Sequence, residues 1–527
     1  YLTSSRAKSF LNENTLTYSK VFGEHSLKVL LGYTMQKDIF SSMAGGSAGY
    51  ANDVVTYNSL SLGADATKNV VGSGYSQRTF ESILSRINYS YKDKYLFTLV
   101  GRRDGSSVFE EGKKHAFFPS AGAAWKISEE DFMQDNEMIS SLKLRASYGI
   151  VGEQGVSPYN SLAKYLPRNI FFNQSISPGV VLASLPSTGL DWEKTYQTDI
   201  GLEVGFANNR YSVEIDYYNK QTKDLLLERP LPKTAGATRL ENVGEVENKG
   251  YEFTFNSVNI EKHDFVWSSS LQISANRNKI ISLGDSSFID LENVNHIQAG
   301  PAVRLIVGEV MPSFIGATYE GTYKSDAEII ADGRQGIDLI GAPNYDDIND
   351  DGNINELDFV VQGSPQPDFY YGLRNTLTYK NWTLDVFIQG MQGNEVYDAT
   401  IENFFYGRGP EHNLLPLVKD RWTPSNPTSD IPRAGTSAGA YRPNSSLNIV
   451  DGSYLRLKNV TLNYDFDLPY TDSASVYLTG NNLLLLTNYS WGDPEVSSFG
   501  SGTVATGVSD SQYPYSSSVA LGFRINL

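Results

Sequence analysis

The chain has 527 residues, no cysteine and a formal net charge of -17, from 43 Lys and Arg against 60 Asp and Glu. The lack of cysteine excludes a disulfide framework, a zinc–thiolate site and a cysteine nucleophile. An acidic chain without a Lys- or Arg-rich run does not resemble a nucleic-acid-binding protein, so we expect no nucleic-acid partner. The chain begins at Tyr1 and shows no signal peptide, so we expect a processed or truncated chain.

Apolar and polar residues alternate in strand-length segments along most of the chain. In the segment 382–389, apolar residues occupy the even positions and mostly polar residues the odd ones. Because a period of two places one residue set on each side of a strand, this pattern predicts β-structure. We predict 15 strands, at 13–22, 26–40, 78–91, 94–103, 118–128, 141–152, 194–206, 210–222, 246–260, 263–283, 369–379, 382–394, 450–467, 474–488 and 514–527.

The connections between these strands mostly alternate between short and long. No apolar run reaches the ~20 residues of a membrane helix, but strands that cross a membrane need only about 9–11 residues. Short turns at one end and long loops at the other are typical of an outer-membrane barrel. We therefore predict an all-β fold, a transmembrane antiparallel up-and-down β-barrel. Its predicted extracellular loops lie near 41–77, 153–193, 284–368, 395–449 and 489–513.

The segment 284–368 is too long for an ordinary loop. Two further strands around Val303–Tyr323 would preserve the alternation of short and long connections, and would raise the expected strand number from 15 to 17.

Several longer strings occur in an order that is specific to one family. RRDGSSVF (102–109) is followed by FFPSAGAAWKISEEDF (117–132), and then by LDWEKTYQTDIGLE (190–203), NVGEVENKGYEF (242–253) and SYLRLKNVTLNYDF (453–466). This ordered set resembles the SusC/RagA family of TonB-dependent outer-membrane transporters, and the resemblance covers most of the chain.

The resemblance implies a barrel of 22 strands that holds an N-terminal plug domain. No plug-like region is visible, so residues 1–527 resemble the C-terminal part of such a barrel, with about 15–17 of the strands. It also implies active import of oligosaccharides or oligopeptides across the outer membrane, together with a SusD-like surface lipoprotein. Further implied partners are the TonB complex, through the plug, outer-membrane lipids, and a second copy of the SusC–SusD pair in a homodimer.

Two other functions stay open from the sequence. One is a siderophore receptor of the same superfamily, although the RDGSS string at 103–107 and the NVGEVENKG string at 242–250 argue against it. The other is a structural or adhesion barrel without a transport role. An enzyme is not expected, because the five histidines are scattered and the chain has no HExxH, GxSxG or P-loop motif.

The segment DINDDGNINELD has the spacing of an EF-hand calcium loop. Its oxygen-bearing side chains at positions 1, 3, 5, 7 and 12 are Asp347, Asn349, Asp351, Asn353 and Asp358, and Gly352 occupies position 6. Prolines and glycines on both sides break helices, which excludes a paired EF-hand sensor. Two interpretations stay open: a single Ca²⁺ that orders the loop, or a solvated acidic turn. No organic cofactor is expected.

Three aromatic residues in predicted outer loops are candidate cargo-binding residues: Phe405, Tyr406 and Trp491. Aromatic rings there could stack on sugar rings or on peptide side chains. The competing interpretations are packing within the loops and contact with the capping lipoprotein, because exposed aromatic residues more often mark an interface than a particular ligand.

Overall fold

The computed structural model describes most of the chain. The described residues are 1–54, 56–172, 175–187, 189–230, 238–291, 301–333, 339–401, 413–434, 444–490, 492–495, 497–498, 506–510, 512–513 and 515–526. Their regular structure is almost entirely β, apart from one short helix, α1 (Asp326–Ala331), and several 3-10 turns.

The strands, in chain order, are β1 (Leu2–Phe22), β2 (His25–Gly46), β3 (Val70–Tyr91), β4 (Tyr95–Ser106), β5 (His115–Lys126), β6 (Ile139–Glu153), β7 (Lys164–Phe172), β8 (Ser175–Ser184), β9 (Glu193–Phe206), β10 (Tyr211–Pro230), β11 (Thr238–Lys262), β12 (Phe265–Leu283), β13 (Phe288–Asp290), β14 (Val303–Ile306), β15 (Ser313–Gly316), β16 (Tyr319–Thr322), β17 (Pro343–Tyr345), β18 (Val360–Gly363), β19 (Phe369–Tyr379), β20 (Trp382–Gln392), β21 (Glu395–Asp398), β22 (Ile449–Asp451), β23 (Tyr454–Phe466), β24 (Ser473–Thr487), β25 (Val508–Ser509) and β26 (Ser518–Asn526).

Within the described residues, the largest sheet has 17 strands, and the three other sheets are small. All 15 strands predicted from the alternation are present, as β1–β6, β9–β12, β19, β20, β23, β24 and β26. The hairpin of β7 and β8 completes the 17. The predicted all-β fold with 15–17 strands is therefore confirmed.

The predicted strand ends were wrong in several places. β1 begins at Leu2 instead of residue 13, and β2 continues to Gly46 instead of residue 40. The side chains of β1 are exposed along its whole length. Residues 2–12, LTSSRAKSFLN, show no regular alternation of apolar and polar residues, which explains why they were missed. The hairpin β7–β8 lies inside 153–193, which was predicted to be a loop.

The two strands expected around Val303–Tyr323 do not join the large sheet. The segment forms β14, β15 and β16, which have four residues each and pair within two of the small sheets. A four-residue strand extends about 13 Å, less than the ~25 Å apolar band of a membrane barrel. These strands belong to a packed segment between β12 and β19, and that prediction is corrected.

The chain forms two compact units. Unit 1 comprises Tyr1–Gln134, Lys143–Ile200 and Lys220–Glu245. Its strands β1 to β6 form an antiparallel meander in which each strand pairs with the next. Exposed apolar residues face each other on β3 and β4, where Ile87 lies opposite Leu99. Such a row on a sheet surface is typical of contact with lipid.

Aromatic rings line the short-turn end of unit 1. Tyr91 stacks on Tyr95, and Tyr95 on Trp125, with centroid distances of 6.3 and 6.5 Å. The turn between Tyr91 and Tyr95 contains Lys92 and Asp93, whose φ angles of 53° and 52° match the type I′ hairpin turn. Aromatic rows of this kind are typical of the interfacial girdles of membrane barrels.

A buried cluster in unit 1 brings together three of the sequence strings. Trp192, from LDWEK, is 1 % exposed and packs against Phe109 and Phe118, at centroid distances of 5.0 and 5.6 Å. These phenylalanines come from RRDGSSVF and FFPSAGAAWK. Gly152 lies so close to Phe118 that a Cβ would overlap the ring. The strings therefore meet in one core, formed by Phe118 on β5 and by residues that follow β4 and precede β9.

Unit 2 comprises Asp135–Leu142, Gly201–Asn219 and Val246–Leu527. Its strands β12, β19, β20, β23, β24 and β26 pair antiparallel in that order. Leu384, Leu462, Leu478 and Leu521 stand opposite one another on four neighbouring strands. The other side of the same strands carries Asp385 and its hydrogen-bonding neighbours. The predicted apolar and polar sides are therefore confirmed.

The packed cores of unit 2 lie in the segments between long strands. Phe314, Tyr397 and Val508 come from three small strands and form one cluster, in which each is at most 1 % exposed. No helix in the described part of the chain has the length and apolarity to cross a membrane.

We expect Trp192→Ala to lower the free energy of unfolding by about 3–5 kcal/mol, because it empties the centre of the unit 1 cluster. Trp192→Phe should cost less, since most of the ring contact remains. Urea unfolding of the full-length protein in detergent micelles measures both changes. The matched control is Trp382→Ala, at a surface position on β20. An equal loss for Trp192→Ala and Trp382→Ala would contradict the assignment of the core.

Candidate functional site

Unit 2 contains a cavity of about 620 Å³, within the size range of small-molecule sites. It lies where β12, β19, β20 and β23 approach Pro365 and Gln366 and the residues 494, 495 and 497. From β20, Phe387 and Gln389 line it, and they share the polar side of the strand with Asp385. The cavity therefore lies on the polar side of the sheet, which in a membrane barrel faces the lumen.

The cavity is far from the short turn between β19 and β20. Gln389 and Met391 are seven and nine residues from Trp382, the first residue of β20. At about 3.3 Å per residue, this places them roughly 23–30 Å along the strand from the turn. That distance is comparable to the ~25 Å apolar band of a barrel, so the cavity lies at the long-loop end of the strands.

The lining combines aromatic rings with carboxamides. The rings are Tyr370, Tyr371, Phe387 and Tyr454, and the carboxamides are Gln272, Gln366, Gln389 and Asn394. A carboxamide both donates and accepts hydrogen bonds, and a tyrosine combines an apolar ring with a polar hydroxyl. Such a lining suits a ligand with flat apolar faces and many neutral polar groups.

A buried ion pair stands behind the cavity wall. The Arg456 guanidinium, 2 % exposed, lies 2.5 Å from Asp493, which is 3 % exposed, and 3.2 Å from Glu495 Oε2. The other Glu495 oxygen accepts hydrogen bonds from the Tyr454 hydroxyl and from Gln389 Nε2. Glu495 is the only charged residue among the described lining residues, and these contacts hold it in place.

A second buried network anchors the segment that leads into residues 492–495. The Tyr489 hydroxyl donates to Asp398 Oδ2 at 3.0 Å and lies 3.1 Å from Ser509 Oγ. The backbone N–H of Thr400 donates to Asp398 Oδ1. Burial raises the pKa of Asp398 above its ordinary value, and the nearby Asp510 carboxylate acts in the same direction. This network connects β21 with β25.

The acidic loop has the internal hydrogen bonds of a tight turn. Asp347 accepts hydrogen bonds from the backbone N–H groups of Asp351 and Gly352. A hydrogen bond from the Asn353 N–H, followed in size by one from the Asn349 amide, lowers the pKa of Asp351. Gly352 has a φ of 79°, which favours glycine.

Asp358, the last predicted ligand, differs from the others because it is completely buried. Its Oδ2 accepts the N–H of Asn355 in a capping box, whereas its Oδ1 has no hydrogen-bond partner in the described structure. Nevertheless, nowhere in the described residues do three His, Cys, Asp or Glu side chains gather into a metal-binding group. The structure thus brings Asp347, Asn349, Asp351 and Asn353 into one turn and gives Asp358 a capping role.

The three aromatic candidates Phe405, Tyr406 and Trp491 lie outside the described residues. Their predicted role in cargo binding stays a prediction. Close to Trp491 in sequence, Pro494 and Glu495 line the cavity.

The cavity residues Tyr370, Gln389 and Tyr454 were not predicted as site residues. One signal was available: Phe387 is an aromatic residue on the polar side of β20, where solvent-facing side chains were expected. The contributions from β12, β23 and the residues 494, 495 and 497 could not be seen, because the lining comes from segments spread along the sequence from Gln272 to Gly507.

Comparisons with known proteins place the chain in a family. The TonB dependent receptor-like, beta-barrel family matches residues 2–483. TonB-dependent receptor P26 of Formosa agariphila is 44% identical, across 98% of this chain and 53% of its own length. TonB-dependent receptor SusC of Bacteroides thetaiotaomicron is 30% identical, across 85% of this chain and 44% of its own length.

Among solved structures, the RagAB peptide transporter superposes with a TM-score of 0.83 and 24% identity. The match covers 99% of this chain and 56% of that one, and it shows that the fold is shared.

The protein is thus an outer-membrane β-barrel of a family of receptors and transporters. It belongs to the TonB-dependent receptors, and within them to the SusC/RagA type. The chain spans about half the length of the curated relatives that it matches.

We expect the small sheet of β21, β22 and β25 to become more stable as the pH falls. The raised pKa of Asp398 means that the folded sheet binds the proton more tightly than the unfolded chain does. This stability is fully present below the ordinary pKa of 3.8 and is lost as the pH rises through the higher folded value.

Hydrogen exchange at about pH 4 and about pH 7, corrected for intrinsic rates, measures the opening free energy of this sheet. Asp398→Asn should remove the difference between the two pH values, whereas Asp420→Asn, at an exposed position, should leave it. A pH difference that survives Asp398→Asn would contradict the role of this carboxyl group.

Proposed function

We propose that the whole protein imports oligosaccharides or oligopeptides across the outer membrane in a TonB-dependent reaction, together with a SusD-like surface lipoprotein. The observation that carries this proposal is the ligand-sized cavity on the polar side of the sheet, at the long-loop end. The SusC relative and the structural likeness to the RagAB peptide transporter support the same function. We infer no enzymatic activity.

In this proposal the barrel wall and the long loops hold cargo, while the TonB complex acts through a plug domain. The segments near 41–77, 153–193, 284–368, 395–449 and 489–513 would face the cell exterior. There the lipoprotein would cover the cavity, and two such pairs could associate as a homodimer. Aromatic residues at the short-turn end, such as Tyr95 and Trp125, would then lie at the inner interface with lipids.

Uptake in a strain that lacks the gene for this protein tests the proposed function. We expect the strain to lose uptake of at least one member of a panel of glycans and peptides, and to recover it with the full-length gene. Removal of TonB should abolish the same uptake. Unchanged uptake of every compound would favour a structural or adhesion barrel, and loss of ferric siderophore uptake alone would favour a siderophore receptor.

We also propose that the loop 347–358 binds one Ca²⁺ through Asp347, Asn349, Asp351, Asn353 and Asp358. Oxygen ligands of this kind suit Ca²⁺, and weak extracellular sites bind it with Kd of about 10⁻⁴–10⁻³ M. The partnerless, buried Oδ1 of Asp358 supports the proposal, because a cation would satisfy it. The role of the ion would be to order the segment that ends at β18.

Calorimetric titration of the full-length protein with millimolar CaCl₂ measures this binding. We expect a single weak site that Asp351→Asn abolishes, because a ligand at position 5 loses its charge. The matched control is Asp350→Asn at position 4, which removes an equal charge from the same loop and keeps a residue that tolerates its φ of 57°. The absence of heat, or equal loss in both variants, would exclude the site.

A further inference from the structure

We propose that Arg456 sets the charge selectivity of the unit 2 cavity, so that the cavity takes an uncharged, hydroxyl-bearing saccharide segment of the cargo. This inference rests on the proposed import function. It names the chemistry of the cargo segment and a positioning residue for it.

The charges behind the cavity wall cancel. Arg456 contacts Asp493 and Glu495, and Lys458 Nζ lies 4.0 Å from Glu495 Oε2. Two cations therefore face two carboxylates. With Glu495 neutralised in this way, the described lining presents no uncompensated charge to a ligand. A charged cargo segment would lose its hydration there without gaining an opposite charge, which is unfavourable.

Arg456 acts through Glu495 and not by touching the cargo. It is buried and absent from the described lining, and its guanidinium lies 5.4 Å from the centroid of the Tyr454 ring. Since it also pairs with Asp493, it ties residues 493–495 to β23. Arg456 is thus a positioning residue that both fixes and neutralises the carboxylate at the wall.

The remaining lining favours a saccharide over other neutral ligands. Tyr370 lines the cavity and is about half exposed, so part of its side chain is accessible to a ligand. Gln272, Gln366 and Gln389 supply groups that both donate and accept hydrogen bonds. Sugar hydroxyls also donate and accept, and the C–H faces of sugar rings pack on aromatic rings.

Binding of three oligosaccharides of equal length to the full-length protein tests the inference. The probes are a neutral glucose oligomer, a cationic glucosamine oligomer and an anionic galacturonate oligomer. We expect the wild-type protein to bind the neutral oligomer most tightly. Arg456→Met leaves one negative charge in excess, so the ratio of cationic to neutral affinity should rise roughly tenfold.

Glu495→Gln should act in the opposite direction. It leaves one positive charge in excess, so the ratio of anionic to neutral affinity should rise by a similar factor, roughly tenfold. The double variant Arg456→Met with Asp493→Asn has balanced charges and should restore the wild-type order. Lys324→Met, which breaks the 2.9 Å ion pair with Asp430 outside the described lining, should change no ratio.

Opposite shifts separate selectivity from misfolding, because a structural lesion would weaken all three probes together. If Arg456→Met does not fold, Glu495→Gln alone decides, since it retains the Arg456–Asp493 pair. Unchanged ratios, shifts in the same direction, no binding of any probe, or tighter binding of an uncharged peptide of matched length would each overturn the inference. TonB-dependent uptake in cells would in that case still support the proposed function, whereas its absence would refute that function separately.

Discussion

The structure depends on the pairing of every backbone N–H and C=O group inside the membrane. No water is available there, and each unpaired group costs several kcal/mol. β2 meets this requirement by pairing along its length with β1 on one side and β3 on the other. Once strands pair in this way, successive side chains must point to opposite sides. As a result, one side of the sheet carries a ladder of leucines, Leu384, Leu462, Leu478 and Leu521. The other side carries Asp385 and its hydrogen-bonding partners.

The same constraint explains where the packed cores lie. Each side of a membrane strand faces either lipid or the polar interior, so the strands cannot enclose an apolar core of their own. The Trp192 cluster of unit 1 and the Phe314–Tyr397–Val508 cluster of unit 2 are built mostly from residues outside the strands of the large sheet, with Phe118 on β5 as a contribution from within one. Packing and wall formation are thus divided between different parts of the chain: the long strands form the wall, and the connecting segments supply most of the residues of the packed cores.

Ion pairing determines the electrostatic properties of the cavity. The protein carries a net charge of -17, yet the carboxylate at the cavity wall is compensated by Arg456 and Lys458. A buried pair such as Arg456 with Asp493 contributes little net stability, because desolvation offsets much of the attraction. Its effect is geometric and electrostatic, since it holds Glu495 beside Tyr454 and Gln389. The lining consists of aromatic rings and amides, and its one carboxylate is charge-compensated, which suits the neutral cargo that we propose.

The sequence by itself determined the all-β class, the 15 principal strands and the family, because strand alternation is local and strings such as RRDGSSVF and LDWEK are specific. It did not reveal the first residues of β1, where the segment LTSSRAKSFLN has no regular alternation. It also placed strands of the large sheet around Val303–Tyr323, where only tertiary packing produces short, buried strands. The cavity was decided by tertiary structure alone. Gln272, Gln389 and Glu495 are ordinary polar residues in the sequence, and only the pairing of distant strands brings them to one wall, with Arg456 behind it.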